Sequence, residues 1–291
     1  MNQNRRQFIR TASAGLATAA FSGVLAACSS QSRVSDNTAH DFGIQLYTLR
    51  DVMPKDPKSV LKQLAAMGYK QIESYEAEHL GMFWGMKPKE FKSHMDDLGM
   101  SIVSSHCAMD AQLEQKAADA AAIGMKYLIV PSVGPQKDLD SFKRIAEQFN
   151  KSGEICRKAG IRFGYHNHDY TFKTVEGRFP QDVLMEATDP ELVDFEMDIY
   201  WVHHTGQDPI AWFEKYPGRF RLSHIKDGKK NAKGEEITCT LGTGIIDFPA
   251  ILAVGKKQGL QYYLVEQEHY EGTTPLQAAA KDADYMKNLR I

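Results

Sequence analysis

The stretch LDSFKRIAEQFNKSGEICRKAGIRFGYHNH, residues 139–168, decides the fold. Residues 139–159 read as a long amphipathic helix, and Gly160 as the residue that ends it in the left-handed conformation open to glycine. Residues 162–166 then read as a short apolar strand that finishes on polar side chains. The same order of helix, glycine and strand recurs in both directions along the chain, with Gly68, Gly99, Gly124 and Gly259 each standing shortly before another strand. Strands are predicted at 43–47, 71–73, 101–105, 126–130, 162–166, 192–197, 219–224 and 261–266. Helices are predicted at 59–67, 88–98, 113–123, 139–159, 180–186, 209–216, 248–258 and 275–289. Eight such units in about 250 residues fit a single (β/α)8 TIM barrel over 42–291 better than an open doubly wound sheet. The open sheet has fewer strands and a glycine-rich first turn, and no G-x-G-x-x-G follows the first strand here.

Ahead of the barrel, Arg5-Arg6-Gln7-Phe8-Ile9-Arg10 leads into a weakly apolar, Ala-rich run, a twin-arginine export pattern expected to occupy residues 1–27. The run ends in Leu25-Ala26-Ala27-Cys28, which resembles a lipoprotein cleavage box, so Cys28 is expected to carry a lipid and residues 28–41 to act as a polar tether. The expected location is periplasmic, with the membrane touched only through that lipid. No later segment nears the roughly 18 apolar residues that span a bilayer. Removing residues 1–27 takes three of the 35 basic residues and none of the 37 acidic ones, leaving a formal net charge of −5, which disfavours nucleic acid as a partner. The remaining Cys107, Cys156 and Cys239 have unrelated spacings and do not suggest a disulfide framework. Association with further copies of the chain stays open.

In a barrel the C-terminal ends of the strands converge on one mouth, so polar groups there meet however far apart they lie in sequence. Those ends carry Gln45 and Tyr47, Glu73, His106, Tyr165-His166-Asn167-His168-Asp169, Glu196 and Asp198, His224-Ile225-Lys226-Asp227, and Glu266-Gln267-Glu268. Gathering so many carboxylates and imidazoles costs several kcal/mol per ion unless a cation compensates. Mixed Asp, Glu and His donors without thiolates suit Mn²⁺ or Zn²⁺ first, with Co²⁺, Fe²⁺ or Mg²⁺ as further choices. Leu241-Gly242-Thr243-Gly244 reads either as a loop touching a substrate oxygen or as a turn with no ligand. The aromatic run Tyr69, Tyr75, Phe83 and Trp84 reads as core by default, and His203, His204 and His269 as rim residues.

The segments 43–50 (GIQLYTLR), 165–170 (YHNHDY), 198–202 (DIYWV), 224–227 (HIKD) and 241–247 (LGTGIID) together resemble the xylose isomerase-like sugar phosphate isomerase/epimerase family, over residues 42–291. The resemblance implies one divalent ion held at the ends of strands five to eight, commonly by Glu, Asp, His and Glu. The last three fall on Asp198, His224 and Glu266. The first departs from the family's pattern, because His166 stands where Glu is expected, with His168 two residues further on the same face. His166 or His168 is then ligand or base, and the metal role is assigned to His166. Glu266, His168 and Lys226 are expected to act in catalysis, and Tyr47, Glu73, His106 and Trp201 to bind substrate, with Trp201 stacking on a sugar ring. The implied reaction is proton abstraction beside a carbonyl, giving an enediolate that an isomerase or epimerase reprotonates. A lyase or dehydratase acting on 3-keto-glycosides or inosose-like compounds shares that intermediate. Outside this class stand a periplasmic sugar-binding lipoprotein, which needs no metal beside a base, and an apurinic-site endonuclease, which needs a basic groove.

Overall fold

The computed structural model describes residues 41–291, so the expected export segment at 1–27 and the tether up to residue 40, Cys28 included, lie outside the described residues. Seven strands follow one another around the ring: β1 (Phe42–Gln45), β2 (Gln71–Tyr75), β3 (Ser101–His106), β4 (Tyr127–Val130), β5 (Arg162–His166), β6 (Val193–Asp198) and β7 (Phe220–Ile225). An antiparallel hairpin, β8 (Asp227–Lys230) and β9 (Glu236–Cys239), leaves the ring before β10 (Tyr262–Val265) closes it by pairing with β1. All pairs within the closed ring are parallel. Outside it run α1 (Pro57–Met67), α2 (Pro88–Asp97), α3 (Leu113–Ala122), α4 (Leu139–Ala159), α5 (Pro180–Ala187), α6 (Ile199–His204), α7 (Pro209–Lys215), α8 (Phe248–Lys257) and α9 (Pro275–Asn288). The expected TIM barrel is the fold observed. No described helix is long and apolar enough to cross a membrane.

Local chemistry sets the boundaries. The side chain of Asp138 accepts a hydrogen bond from Ser141 N (2.8 Å) to start α4, and Gly160 ends it at φ +86°. Five helices open on proline, whose missing N–H is unneeded in a first turn. Strand β1 stops two residues earlier than predicted because the Gln45 side chain accepts from Tyr47 N (3.1 Å) and caps a short 3₁₀ turn, Leu46–Leu49. Strand β6 passes directly into α6, which the sequence pattern did not predict, because Asp198 Oδ1 accepts from Trp201 N (3.1 Å). The hairpin was likewise read only as a polar insert.

Alternation along β6 shows how the barrel is layered. Phe195 and Met197 join the core between strands and helices, while Asp194, Glu196 and Asp198, two residues apart, share the other face and are all buried. A separate buried cluster, Val103, Tyr127, Ile129, Leu222 and Leu264, joins β3 and β4 to β7 and β10 across the ring and so fills the lumen. Burying each such side chain stabilises the fold by about 1.5–3 kcal/mol. Two residues beyond Leu222 and Leu264 stand His224 and Glu266, which places the polar layer directly on this apolar plug. The aromatic run also divides, since Tyr69, Phe83 and Trp84 are core residues while Tyr75 reaches the cavity over the barrel mouth.

The segment after β9 wraps a carboxylate. Asp227 Oδ2 accepts from Gly242 N and Gly244 N (both 3.0 Å), and Oδ1 accepts from Gly228 N (2.8 Å) and Ile246 N (3.3 Å). At Gly244 a Cβ would meet Asp227 Oδ1 at 2.1 Å, so only glycine fits. Cys107, Cys156 and Cys239 are free and buried, and burial pushes the Cys107 and Cys156 thiols up to about 12.

Candidate metal centre and its cavity

The end of β5 and the end of β6 are tied together by Asn167. Its Oδ1 accepts from Asp198 N (3.0 Å) and its Nδ2 donates to Asp198 O (3.3 Å). With Asp198 Oδ1 engaged at the start of α6, Oδ2 is left to face the centre. His166 points the same way, because its Nδ1 lies 3.2 Å from the carbonyl oxygen of Pro131. A carbonyl only accepts, so Nδ1 carries the proton and Nε2 presents a lone pair. Nε2 stands 3.4 Å from Asp198 Oδ2 and, although buried, has no hydrogen-bond partner. Burial, aided by the neighbouring His224, pushes the His166 pKa down to about 3 and keeps the ring neutral.

His224 and Glu266 complete the group. One donor atom from each of His166, Asp198, His224 and Glu266 lies within 4.8 Å of all the others. All four residues are buried. Two imidazoles and two carboxylates, with the buried lone pair of His166 Nε2 unsatisfied, suit a divalent cation. The sequence-predicted donors are thus brought to one place.

Lys226 is also there. Its ammonium lies 2.8 Å from Asp198 Oδ2, 2.6 Å from Glu266 Oε2 and 2.7 Å from Glu268 Oε1. Burial opposes its charge, but Asp198, Glu266 and Glu268 outweigh that and hold its pKa well above the ordinary lysine value. Lys226 does not pair with Asp227, whose oxygens take backbone N–H groups. Burial also works against the ionised forms of Asp198 and Glu266, yet Lys226 before all others keeps both carboxyls well below their ordinary range.

Glu73 is placed differently from the expectation. It was predicted to bind substrate hydroxyls, but it is fully buried and does not border the cavity. Its Oε1 accepts from Gln45 Nε2 (2.6 Å) and lies 2.7 Å from His224 Nε2, and its Oε2 accepts from Ser104 Oγ (2.6 Å). The reason is its position on β2, which faces the lumen one layer below the mouth. Glu196 lies in the same layer, with Oε2 2.8 Å from His106 Nε2 and 3.3 Å from His224 Nε2. Burial first, and then the adjacent Glu73, push the Glu196 pKa up to about 7. Glu73, His106, Glu196 and His224 form a second set of close donor atoms, occupied by hydrogen bonds among themselves. His224 joins the two layers, with Nδ1 3.1 Å from Glu266 Oε2 and Nε2 on Glu73.

Above the centre opens a cavity of about 820 Å³ bordered by Tyr47, His106, His166, His168, Trp201 and Lys226 among others. Tyr47 is 41% exposed at its rim. Burial lowers the His168 pKa, and its Nδ1 has no partner. The Trp201 ring stands 5.7 Å from the His168 ring and 5.5 Å from the Lys226 ammonium, with its indole N–H unpaired. Of the expected rim histidines, His204 pairs with Glu236, and His269 Nδ1 lies 3.3 Å from Thr238 Oγ1. Sequence reasoning gave no role to Glu196, Glu268, Asn167 or Tyr170. The period of two from Asp198 back to Glu196 was the available signal for the first.

A closed parallel barrel with this mixed donor set at the ends of its later strands defines a class, and the chain belongs to the xylose isomerase-like TIM barrel family, whose model matches residues 61–289. Among curated relatives, an inosose dehydratase of Mesomycoplasma hyopneumoniae is 24% identical over 276 residues, covering 86% of this chain and 85% of that protein. An inosose dehydratase of Clostridium perfringens is 30% identical over 165 residues, 51% of this chain and 54% of that protein. Among solved structures, a sugar phosphate isomerase/epimerase from Parabacteroides distasonis superposes with a TM-score of 0.73 at 32% identity, covering 87% of this chain and 95% of that one. These relatives are enzymes, dehydratases of an inosose and an isomerase/epimerase of a sugar phosphate.

Proposed function

We propose that the protein is a divalent-metal-dependent isomerase or epimerase that removes and returns a proton beside the carbonyl of a sugar or keto-sugar. The observation that carries this reading is the convergence of His166, Asp198, His224 and Glu266 beneath a cavity walled by a neutral, unpartnered His168. Bound by these four residues, Mn²⁺ or Zn²⁺ would polarise a carbonyl and an adjacent hydroxyl oxygen and so acidify the C–H bond between them. Glu73 holds His224 through Nε2, which leaves Nδ1 to face the centre. His168 takes the proton as general base, and Lys226 steadies the negative charge that develops on oxygen. Return of the proton to the neighbouring carbon isomerises, and return to the opposite face of the same carbon epimerises. Trp201 and Tyr47 offer apolar ring faces to the sugar.

A second reading, dehydration, is favoured by the inosose dehydratases that align with most of this chain. There the same proton leaves first, a β-hydroxyl then departs as hydroxide, and its protonation by an acid at the mouth gives water. Mass spectrometry of reactions run in D₂O with keto-sugars and an inosose separates the two. Isomerisation or epimerisation leaves a product of unchanged formula that carries solvent deuterium at carbon, whereas dehydration gives a product lighter by one water. Full turnover in excess chelator, with no metal retained by elemental analysis, would defeat both.

A further inference from the structure

The cavity of about 820 Å³ lies toward the top of the roughly 300–1,000 Å³ span of sites that enclose drug-sized molecules. A single carbonyl-bearing sugar ring is much smaller than such a ligand. Its two halves also differ in chemistry. His166, His168, Lys226 and Glu266 border one half. The other lies between the loops that follow β3 and β4 and the early turns of α4, and is walled by Met109, Val130, Val133 and Ile145, with the amide side chains of Gln136 and Gln148. The carboxylate that borders the cavity on this side, Glu76, is paired with Lys116 at 2.8 Å. The Cys107 thiol, its pKa pushed up by burial, stays protonated and behaves as an apolar group.

This second half is held in shape by groups that the proposed reaction does not use. The hydroxyl of Tyr170 accepts from Val133 N (3.0 Å) and Gly134 N (3.2 Å) and contacts Ser132 Oγ at 3.0 Å, so the loop after β4 is pinned from the segment after β5. Gln136 Nε2 donates to Val133 O (2.7 Å) and tightens the same loop. The Tyr170 ring stacks on His168 with centroids 5.9 Å apart and planes 8° from parallel, which joins the pinned wall to the proposed base. A preformed, largely apolar wall with amide groups, its one carboxylate paired with Lys116, suits a ring with an apolar face.

We infer that this half is a second binding subsite for an apolar-faced ring attached to the reacting sugar, so that the natural substrate is a keto-sugar glycoside of an aromatic or similarly flat aglycone. The assignment of the reacting sugar to the other half rests on the function proposed above. Calorimetric titration of the Mn²⁺-loaded, full-length protein with phenyl, methyl and cellobiose-type β-glucosides tests the subsite without requiring turnover, because none of these carries the keto group. Phenyl β-glucoside is expected to bind about tenfold or more tighter than the methyl glucoside, and Ile145→Asp to abolish that preference. Met109→Glu, on a neighbouring loop, gives the same test should the first variant fail to fold. Equal affinity for the phenyl and methyl compounds, including no binding of either, overturns the subsite, as does tighter binding of cellobiose than of the phenyl compound. A phenyl preference in a protein that turns over no keto-sugar would sink the proposed reaction and leave the subsite standing. Turnover without a phenyl preference would do the reverse.

Discussion

Asp282 on α9 shows how one buried carboxyl ties stability to pH. Its Oδ1 accepts from Leu241 N (2.8 Å), while Oδ2 is buried with no partner, and burial pushes its pKa from 3.8 up to about 7. The folded chain therefore holds this proton more tightly than the unfolded one, and the resulting stability, complete below about pH 4, is lost as pH rises through about 7. Asp282→Asn keeps the acceptor and removes the titration. It should melt roughly 2–4 °C above the parent at pH 8, with the gap narrowing toward pH 5; a gap that does not change with pH would show that the carboxyl titrates normally. At the centre, two histidines two residues apart have different surroundings. His166→Gln should lower bound metal, whereas His168→Gln should keep the metal and lower kcat by about 100-fold or more. Elemental analysis beside steady-state kinetics checks the pair, and metal loss in the second variant would exchange their roles. The convergence of His166, Asp198, His224 and Glu266, the proposed donors, was legible because all four fall where strands end. Glu73 was misread for the same reason. A strand end looks alike in sequence whether its side chain reaches the mouth or lies one layer below, and the structure shows β2 continuing two residues beyond its predicted end.

At the level of elements, helices and barrel strands were legible because each unit carries its own punctuation, such as Asp138 and Gly160 around α4. The hairpin of β8 and β9 was not, since its short polar strands lack apolar alternation and are held by the carboxylate of Asp227, the first residue of β8. That dependence can be tested. A methyl group at residue 244 would stand 2.1 Å from Asp227 Oδ1 and 2.4 Å from Gly228 O. Gly244→Ala should cost about 1–3 kcal/mol in chemical denaturation and loosen the hairpin, seen as faster amide exchange in residues 227–239. Unchanged stability would mean that the loop moves aside freely. Helix α6 was missed for a related reason, because its start is set by Asp198, a residue whose type suggested a metal ligand and nothing else. One carboxylate can meet both demands, with Oδ1 on the helix and Oδ2 turned to the proposed metal centre.

For the whole molecule, the proposed donors stand at the ends of β5, β6, β7 and β10, distant in sequence but adjacent in the sheet, so they share a neighbourhood only in the folded state. A cation held by them binds the native chain far better than the unfolded one. Mn²⁺ or Zn²⁺ at 100 times its dissociation constant should add about 2.7 kcal/mol of stability, read as a rise in melting temperature that chelator reverses. A melting temperature indifferent to metal and chelator alike would count against the centre. The barrel's position at the mouth also separates the three tryptophans. Trp84 and Trp212 are sealed in the core, whereas Trp201 borders the cavity beside the Lys226 ammonium. Protein of native composition therefore carries its own optical gauge. Whatever enters the mouth and shifts that ammonium alters the emission of one indole, so occupancy can be followed by intrinsic fluorescence with no dye attached, and Trp201→Phe should silence the signal.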